Sequence, residues 1–118
     1  MAQIQFEVEG RPISWNVMYG GRHWTVRSQM ANEWKWRTKA GLLKFRVPKL
    51  TLEAPIKIEF EVYVGRSIDC DNIVLKTYID GLRDWGILKD DSPAYVQEIT
   101  VRVITKSKRE YVKITLHI

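Results

Sequence analysis

Cysteines and long apolar runs are nearly absent from this sequence. Its one cysteine, Cys70, excludes an internal disulfide and is typical of a protein kept in a reducing compartment. The apolar runs are too short for a membrane span, and the first ten residues lack the basic start and apolar stretch of a secretory signal. The two histidines and the cysteine are too few and too scattered for a zinc site. The sequence therefore predicts a cytoplasmic protein without membrane contacts.

The size and the charge of the chain further restrict the classes of function that fit the sequence. The 118 residues are enough for one domain, residues 1–118, and 45% hydrophobic with 28% charged residues is an ordinary globular composition. Nineteen basic residues against 14 acidic ones give a net charge of +5. That excess favours an anionic partner, and nucleic acid is the first candidate.

Hydrophobic periodicity predicts four strands and two main helices. Apolar and polar residues alternate over residues 3–9, 56–64, 97–103 and 111–118, as in strands with one buried face. Helices are predicted over residues 29–44, with Ser28 as the N-cap, and over residues 72–83. Residues 13–27 have no clean period and are predicted to be a loop.

This order, β-loop-α-β-α-β-β, predicts an α+β domain with one mixed β-sheet. The last two strands are expected to pair as an antiparallel hairpin. Gly81 lies inside the second helix at a cost of about 1 kcal/mol relative to alanine, which predicts that its backbone approaches another group closely.

All six aspartates of the chain fall between positions 69 and 91. This window has a formal charge of −3, whereas the rest of the chain has +8. An acidic island in a basic protein is the charge layout of a metal site that faces a polyanion. If Asp69 and Asp71 end a strand, their carboxylates lie on one face, roughly 6.6 Å apart along the backbone. Asp91, from a later turn, is a candidate third carboxylate for Mg²⁺, which prefers hard oxygen ligands.

Lys76 completes a possible site for phosphodiester hydrolysis. A metal ion activates bound water and neutralises the attacked phosphate, and a nearby ammonium stabilises developing negative charge. Structural roles remain open for the same residues. Asp69 or Asp71 could cap the following helix, residues 90–93 could form a plain turn, and Lys76 could simply pair with Asp80 one helical turn later.

The predicted loop at residues 13–27 and its flanks interleave bases with aromatic residues. Arg11, Arg22 and Arg27 could contact phosphates bidentately while neighbouring rings stack on bases. The alternative is that Trp15 and Trp24 are partly buried anchors and the arginines are simply solvated.

Two motifs resemble the RusA family of Holliday junction resolvases. The central one comprises Asp69-x-Asp71-Asn72, then Lys76, Asp80-Gly81-Leu82, Gly86-Ile87 and Asp90-Asp91-Ser92. The N-terminal one comprises Pro12-x-Ser14-x-Asn16-x-x-Tyr19. Together with the terminal strand pair, the resemblance spans nearly the whole chain.

The resemblance implies a homodimeric, Mg²⁺-dependent endonuclease, with Mn²⁺ as a possible substitute, that cuts four-way DNA junctions by paired symmetric nicks in recombination and repair. It implies a bacterial or phage source. Asp69, Asp71 and Asp91 would be the catalytic carboxylates and metal ligands, and Lys76 the essential lysine. Arg66 loosely matches the basic residue that the family has just ahead of the aspartates.

Three residues separate Asn72 from Lys76, where the family commonly has two. On a helix, one inserted residue turns a side chain by about 100°, which would move Lys76 relative to the aspartates.

Candidate DNA contacts are distributed along the chain. They are Arg11, Asn16, Arg22, Arg27, Arg66, Lys76, Lys106, Lys108 and Arg109. A dimer would provide two symmetric cuts, and its twofold axis would match the pseudo-symmetry of a junction. Two alternatives stay open, which are a non-catalytic nucleic-acid-binding module and a nuclease for flaps or forks.

Overall fold

Four strands form one mixed sheet in the computed structural model, which describes residues 3–21 and 23–118. The strands are β1 (Gln3–Glu9), β2 (Ile56–Tyr63), β3 (Val96–Ile104) and β4 (Tyr111–His117). The helices are α1 (Trp15–Tyr19), α2 (Trp24–Lys44) and α3 (Lys76–Trp85), with a 3-10 turn at Cys70–Asn72. The predicted α+β class, with one mixed sheet and two main helices, is confirmed.

The strand order across the sheet is β1-β4-β2-β3. Strand β4 pairs antiparallel with both β1 and β2, whereas β3 pairs in parallel with β2. The predicted hairpin of the last two strands is therefore wrong. The apolar side chains of β4 are fully buried at the centre of the sheet, whereas none of the described residues of β3 is buried. The two strands are close in sequence but differ in how deeply they are buried.

The parallel pairing of β2 and β3 requires a long crossover, because a parallel neighbour cannot be reached by a tight turn. Residues 64–95 provide it, and they carry the 3-10 turn and α3. Tyr78 and Leu82 of α3 are fully buried, and the Tyr78 ring lies 5.8 Å from the ring of Phe60 on β2. The aspartate window is thus held on one connection that is anchored to the core.

The N-terminal loop prediction is only partly correct. Residues 15–19 form α1, where the Ser14 hydroxyl accepts a hydrogen bond from the amide of Val17. Helix α2 begins at Trp24 rather than at residue 29, because the side chain of His23 takes the N-cap position and accepts from the Thr25 amide. Among the described residues, no helix is both long enough and apolar enough to span a membrane.

Glycines allow two close backbone contacts of α2 with its neighbours. A Cβ on Gly41 would overlap the carbonyl oxygen of Glu7 on β1, so the helix backbone lies directly on the sheet edge. A Cβ on Gly81 would lie 2.8 Å from the Cβ of Thr38, so α2 and α3 also meet closely. The close approach predicted at Gly81 is confirmed.

Helix α3 begins four residues later than predicted. Ile73 is extended, forms an isolated antiparallel bridge with Ser14, and is buried, while the amide of Val74 donates to the carbonyl of Ile13 at 2.9 Å. These contacts hold residues 73 and 74 out of the helix. The stripe predicted for the helix still faces the core, because Tyr78, Ile79 and Leu82 are buried and Leu75 packs against them.

Candidate active site

Asp69 and Asp71 lie on the 3-10 turn rather than at the end of a strand. Strand β2 ends at Tyr63, so the strand spacing expected for the two carboxylates does not apply. Asp69 occupies the N-cap position of the turn without a side-chain capping bond, and α3 has Leu75 at its own N-cap position. Both aspartates are exposed. The helix-capping alternative is therefore not realised in the described part of the chain.

A cleft of about 500 Å³ joins the two sequence motifs. Pro12 and Ser14 from the N-terminal motif line it together with Asp69 and Asn72 from the central motif, and Arg66 lies on the same cleft. The Ser14–Ile73 bridge explains this proximity, because it ties the two segments together directly. The fold thus brings together residues that are nearly sixty positions apart in the sequence.

Lys76 and Asp91 meet in space. The Lys76 Nζ lies 3.7 Å from an Asp91 carboxylate oxygen and 3.8 Å from one of Asp80. The Asp91 amide donates to an Asp90 carboxylate oxygen at 2.8 Å. This backbone hydrogen bond is the largest cause that holds the pKa of Asp90 below its ordinary value, and the Asp91 side chain and Arg83 contribute less. Asp90 therefore stabilises the turn at residues 90–91, and the Asp91 carboxylate lies within ion-pair distance of Lys76.

The carboxylates of the candidate site are not gathered into one cluster. Within residues 3–21 and 23–118, no three His, Cys, Asp or Glu side chains are placed to hold a metal ion together. The ion pairs in this part of the chain include neither Asp69 nor Asp71. Their donor chemistry nevertheless suits Mg²⁺, which commonly takes only one or two protein carboxylates and completes its shell with water and substrate phosphate.

Arg11 and Arg109, both predicted DNA contacts, are bound by carboxylates from other segments of the chain. The Arg11 guanidinium donates to the carbonyls of Arg66 and Ser67, at 2.7 and 3.3 Å, and pairs with Glu110. It therefore fastens the segment that leads into the aspartates.

Arg109 is bound to the carboxylates of Glu7 and Glu9, and its guanidinium lies 4.1 Å from the centre of the Tyr111 ring. These hydrogen bonds raise the pKa of Arg109 and lower that of Glu9. This arginine joins β1 to the turn before β4.

The other predicted contacts differ in their surroundings. Arg66, Asn16, Lys106 and Lys108 are exposed, and only Arg66 among them lines the cleft. The Arg27 guanidinium lies 5.2 Å from the centre of the Tyr19 ring. Arg22 lies outside the described residues.

A second, charged cleft of about 400 Å³ was not anticipated from the sequence. Lys35 of α2 and Lys89 line it beside Lys76, Asp80, Arg83 and Asp84. The sequence offers no direct signal for this group, because Lys35 reaches it only through the packing of α2 on α3. Lys76 of the candidate site therefore shares this cleft with three other basic side chains.

No protein-family model and no curated protein matches this chain.

Proposed function

We propose that this protein is a Mg²⁺-dependent, structure-selective endodeoxyribonuclease that resolves four-way DNA junctions by paired symmetric nicks. The cleft that unites Pro12 and Ser14 with Asp69 and Asn72 carries the proposal, because residues of both motifs of the resemblance, far apart in the sequence, meet at one surface. The contact of Lys76 with Asp91 supports it, since it places a cation beside a third carboxylate. The exposure of the aspartates leaves them accessible to a large substrate.

Asp69, Asp71 and Asp91 would hold the metal ion. When bound, Mg²⁺ supplies an activated water and neutralises the attacked phosphate. The carboxylates would bind and orient that ion, and since Mg²⁺ commonly takes only one or two protein carboxylates at a time, the proposal does not require all three to ligate it together. Mn²⁺ has a similar preference for oxygen ligands and would substitute for it.

Lys76 would act on the phosphate. Its pairs with Asp80 and Asp91 are long and solvent-exposed, so each contributes little to stability and is easily exchanged for a phosphate oxygen. An ammonium at this position stabilises negative charge that develops on the phosphate during hydrolysis. Arg66 at the cleft and the exposed Lys106 and Lys108 are available for the DNA backbone.

Two symmetric cuts require two sites related by a twofold axis, so the proposed enzyme is a homodimer. The exposed free thiol of Cys70 is compatible with a reducing compartment, and the proposed location is the cytoplasm of a bacterium or of a phage-infected cell.

The test uses a synthetic four-way junction with each strand labelled in turn, incubated with Mg²⁺. We expect paired nicks at symmetric positions, and we expect the Asp71→Asn variant to cut at least about 100-fold more slowly while it still binds the junction without metal. Glu33→Gln is the control and should cut like the wild type, because it removes an exposed carboxylate that pairs with Arg37 and lines neither cleft. Equal cutting by wild type and Asp71→Asn would refute the proposed site.

The ungathered carboxylates favour one competing function, a nucleic-acid-binding module without catalysis. It predicts salt-sensitive DNA binding with no Mg²⁺-dependent cleavage of any branched substrate. Including flaps and forks in the same substrate panel also separates junction resolution from a broader nuclease activity.

A further inference from the structure

A third groove lies where α2 and α3 pack together, outside the candidate active site. It encloses about 390 Å³, and its walls include Trp36, Leu43 and Trp85. Trp36 is 67% exposed and Leu43 is 70% exposed. Large apolar side chains exposed side by side mark a binding surface more often than isolated ones do.

Each tryptophan of the groove has a lysine at its ring. The Lys39 Nζ lies 4.6 Å from the centre of the Trp36 ring, and the Lys49 Nζ lies 4.6 Å from the centre of the Trp85 ring. The one acid in the lining, Asp84, pairs with Lys39 and with the neighbouring Lys35. The groove thus combines two aromatic rings with two cations and one acid.

The groove adjoins the charged cleft around Lys76, because Asp84 lines both. Across the two, the lining contains six basic side chains, Lys35, Lys39, Lys49, Lys76, Arg83 and Lys89, and two acidic ones, Asp80 and Asp84. The surface that extends from Lys76 to Trp36 is therefore complementary to a polyanion.

We propose that this groove binds unpaired nucleotides of a DNA strand, with bases on Trp36 and Trp85 and phosphates at Lys39 and Lys49. Aromatic platforms beside cations bind single strands in this way without reading sequence. Base pairs inside a duplex keep their faces stacked and offer none to a ring, so the ligand is an unpaired segment. An apolar protein partner would have to desolvate the lysine ammonium groups, which is unfavourable without matched acids.

The inference rests on the proposed function, since DNA is the partner in both, and it extends that function to strand opening near the cut. The first test measures binding of labelled oligothymidylate by fluorescence anisotropy. Trp36→Ala should weaken binding at least about fivefold, as expected for one lost stacking contact, whereas Trp36→Phe should keep most of the affinity. Lys39→Gln should reduce the salt dependence of binding.

Phe45→Ala is the matched control, because Phe45 is an exposed aromatic residue at the end of the same helix and lines other clefts. It should bind oligothymidylate like the wild type. Equal binding by Trp36→Ala and wild type would overturn the inference. So would sedimentation of Trp36→Ala as a monomer where the wild type is a dimer, because the groove would then be a subunit interface.

The outcomes separate the two proposals. If the wild type cuts junctions and Trp36→Ala binds oligothymidylate normally, the endonuclease assignment stands and the groove does not bind single strands. If the wild type cuts no branched DNA but binds oligothymidylate through Trp36, the groove is supported and the endonuclease assignment fails.

Discussion

Replacing Gly81 by alanine tests the contact that fixes α3, and with it Lys76, against α2. A Cβ at position 81 would lie 2.8 Å from both Cβ and Cγ2 of Thr38, well inside the ordinary separation of about 3.5–4.0 Å between carbon atoms. Thr38 is fully buried, and its hydroxyl donates to the Trp34 carbonyl at 2.8 Å. Its Cβ is fixed to the backbone, so the two helices themselves must move apart.

Two opposing effects set the size of the change. Alanine is more favourable than glycine in a helix interior by about 1 kcal/mol. Forcing a methyl group into a packed contact costs about 1–3 kcal/mol. We therefore expect Gly81→Ala to lower the free energy of unfolding by up to about 2 kcal/mol, opposite in sign to the effect of helix propensity.

Urea unfolding measures this difference in free energy. An unchanged slope of the free energy of unfolding against urea concentration would show that wild type and variant expose the same surface when they unfold. Ala40→Gly, at an exposed position of α2, is the control for propensity and should cost about 1 kcal/mol. Thr38→Ala makes room for the new methyl group, so the double variant should be more stable than the sum of the single effects by about 1 kcal/mol or more. A more stable Gly81→Ala protein, with additive effects in the double variant, would refute the reasoning.

Two further substitutions test electrostatics and backbone conformation. Burial raises the pKa of Asp84, but the hydrogen bond and charge of Lys35, together with Lys39, outweigh it and hold the pKa below the ordinary 3.8. A lowered pKa stabilises the folded protein above that ordinary value, and the contribution is lost as pH falls through the lowered pKa. Asp84→Asn should thus cost about 0.5 kcal/mol at neutral pH and nothing in strong acid; an equal cost at both would contradict this origin. Gly86 ends α3 with φ of +96°, a left-handed conformation. Gly86→Ala should therefore lower the free energy of unfolding, measured by thermal unfolding, by about 1 kcal/mol, and Gly86→Asn by less. An alanine variant as stable as the wild type would contradict this explanation.

The strands were readable from the sequence because apolar and polar residues alternate along each of them. Residues 56–64, for example, alternate cleanly, and the structure ends β2 at Tyr63. Strand pairing was not readable, since alternation identifies a buried face without identifying the neighbour that covers each edge. Proximity in sequence favours a hairpin of β3 with β4, but the structure places the more buried β4 between β1 and β2.

The candidate site, like the fold, could be predicted only in part from the sequence. The concentration of aspartates and the lysine beside them could be recognised from residue types alone. The roles of the arginines could not, because their partners are remote in sequence. Arg11 pairs with Glu110, and Arg109 pairs with Glu7 and Glu9. In the folded protein, these two candidate DNA contacts instead connect segments that are far apart in the sequence.

The extra residue before Lys76 shows how local backbone conformation alters an inference from spacing. A rotation of about 100° follows only if residues 72–76 form one continuous helix. Instead, Asn72 ends the 3-10 turn, Ile73 is extended against Ser14, and Lys76 is the first residue of α3. An added residue in such a segment lengthens the connection without turning the helix. Lys76 keeps its place one turn before Asp80, and it also lies 3.7 Å from Asp91. The spacing that departs from the RusA pattern is therefore compatible with a lysine beside the third carboxylate.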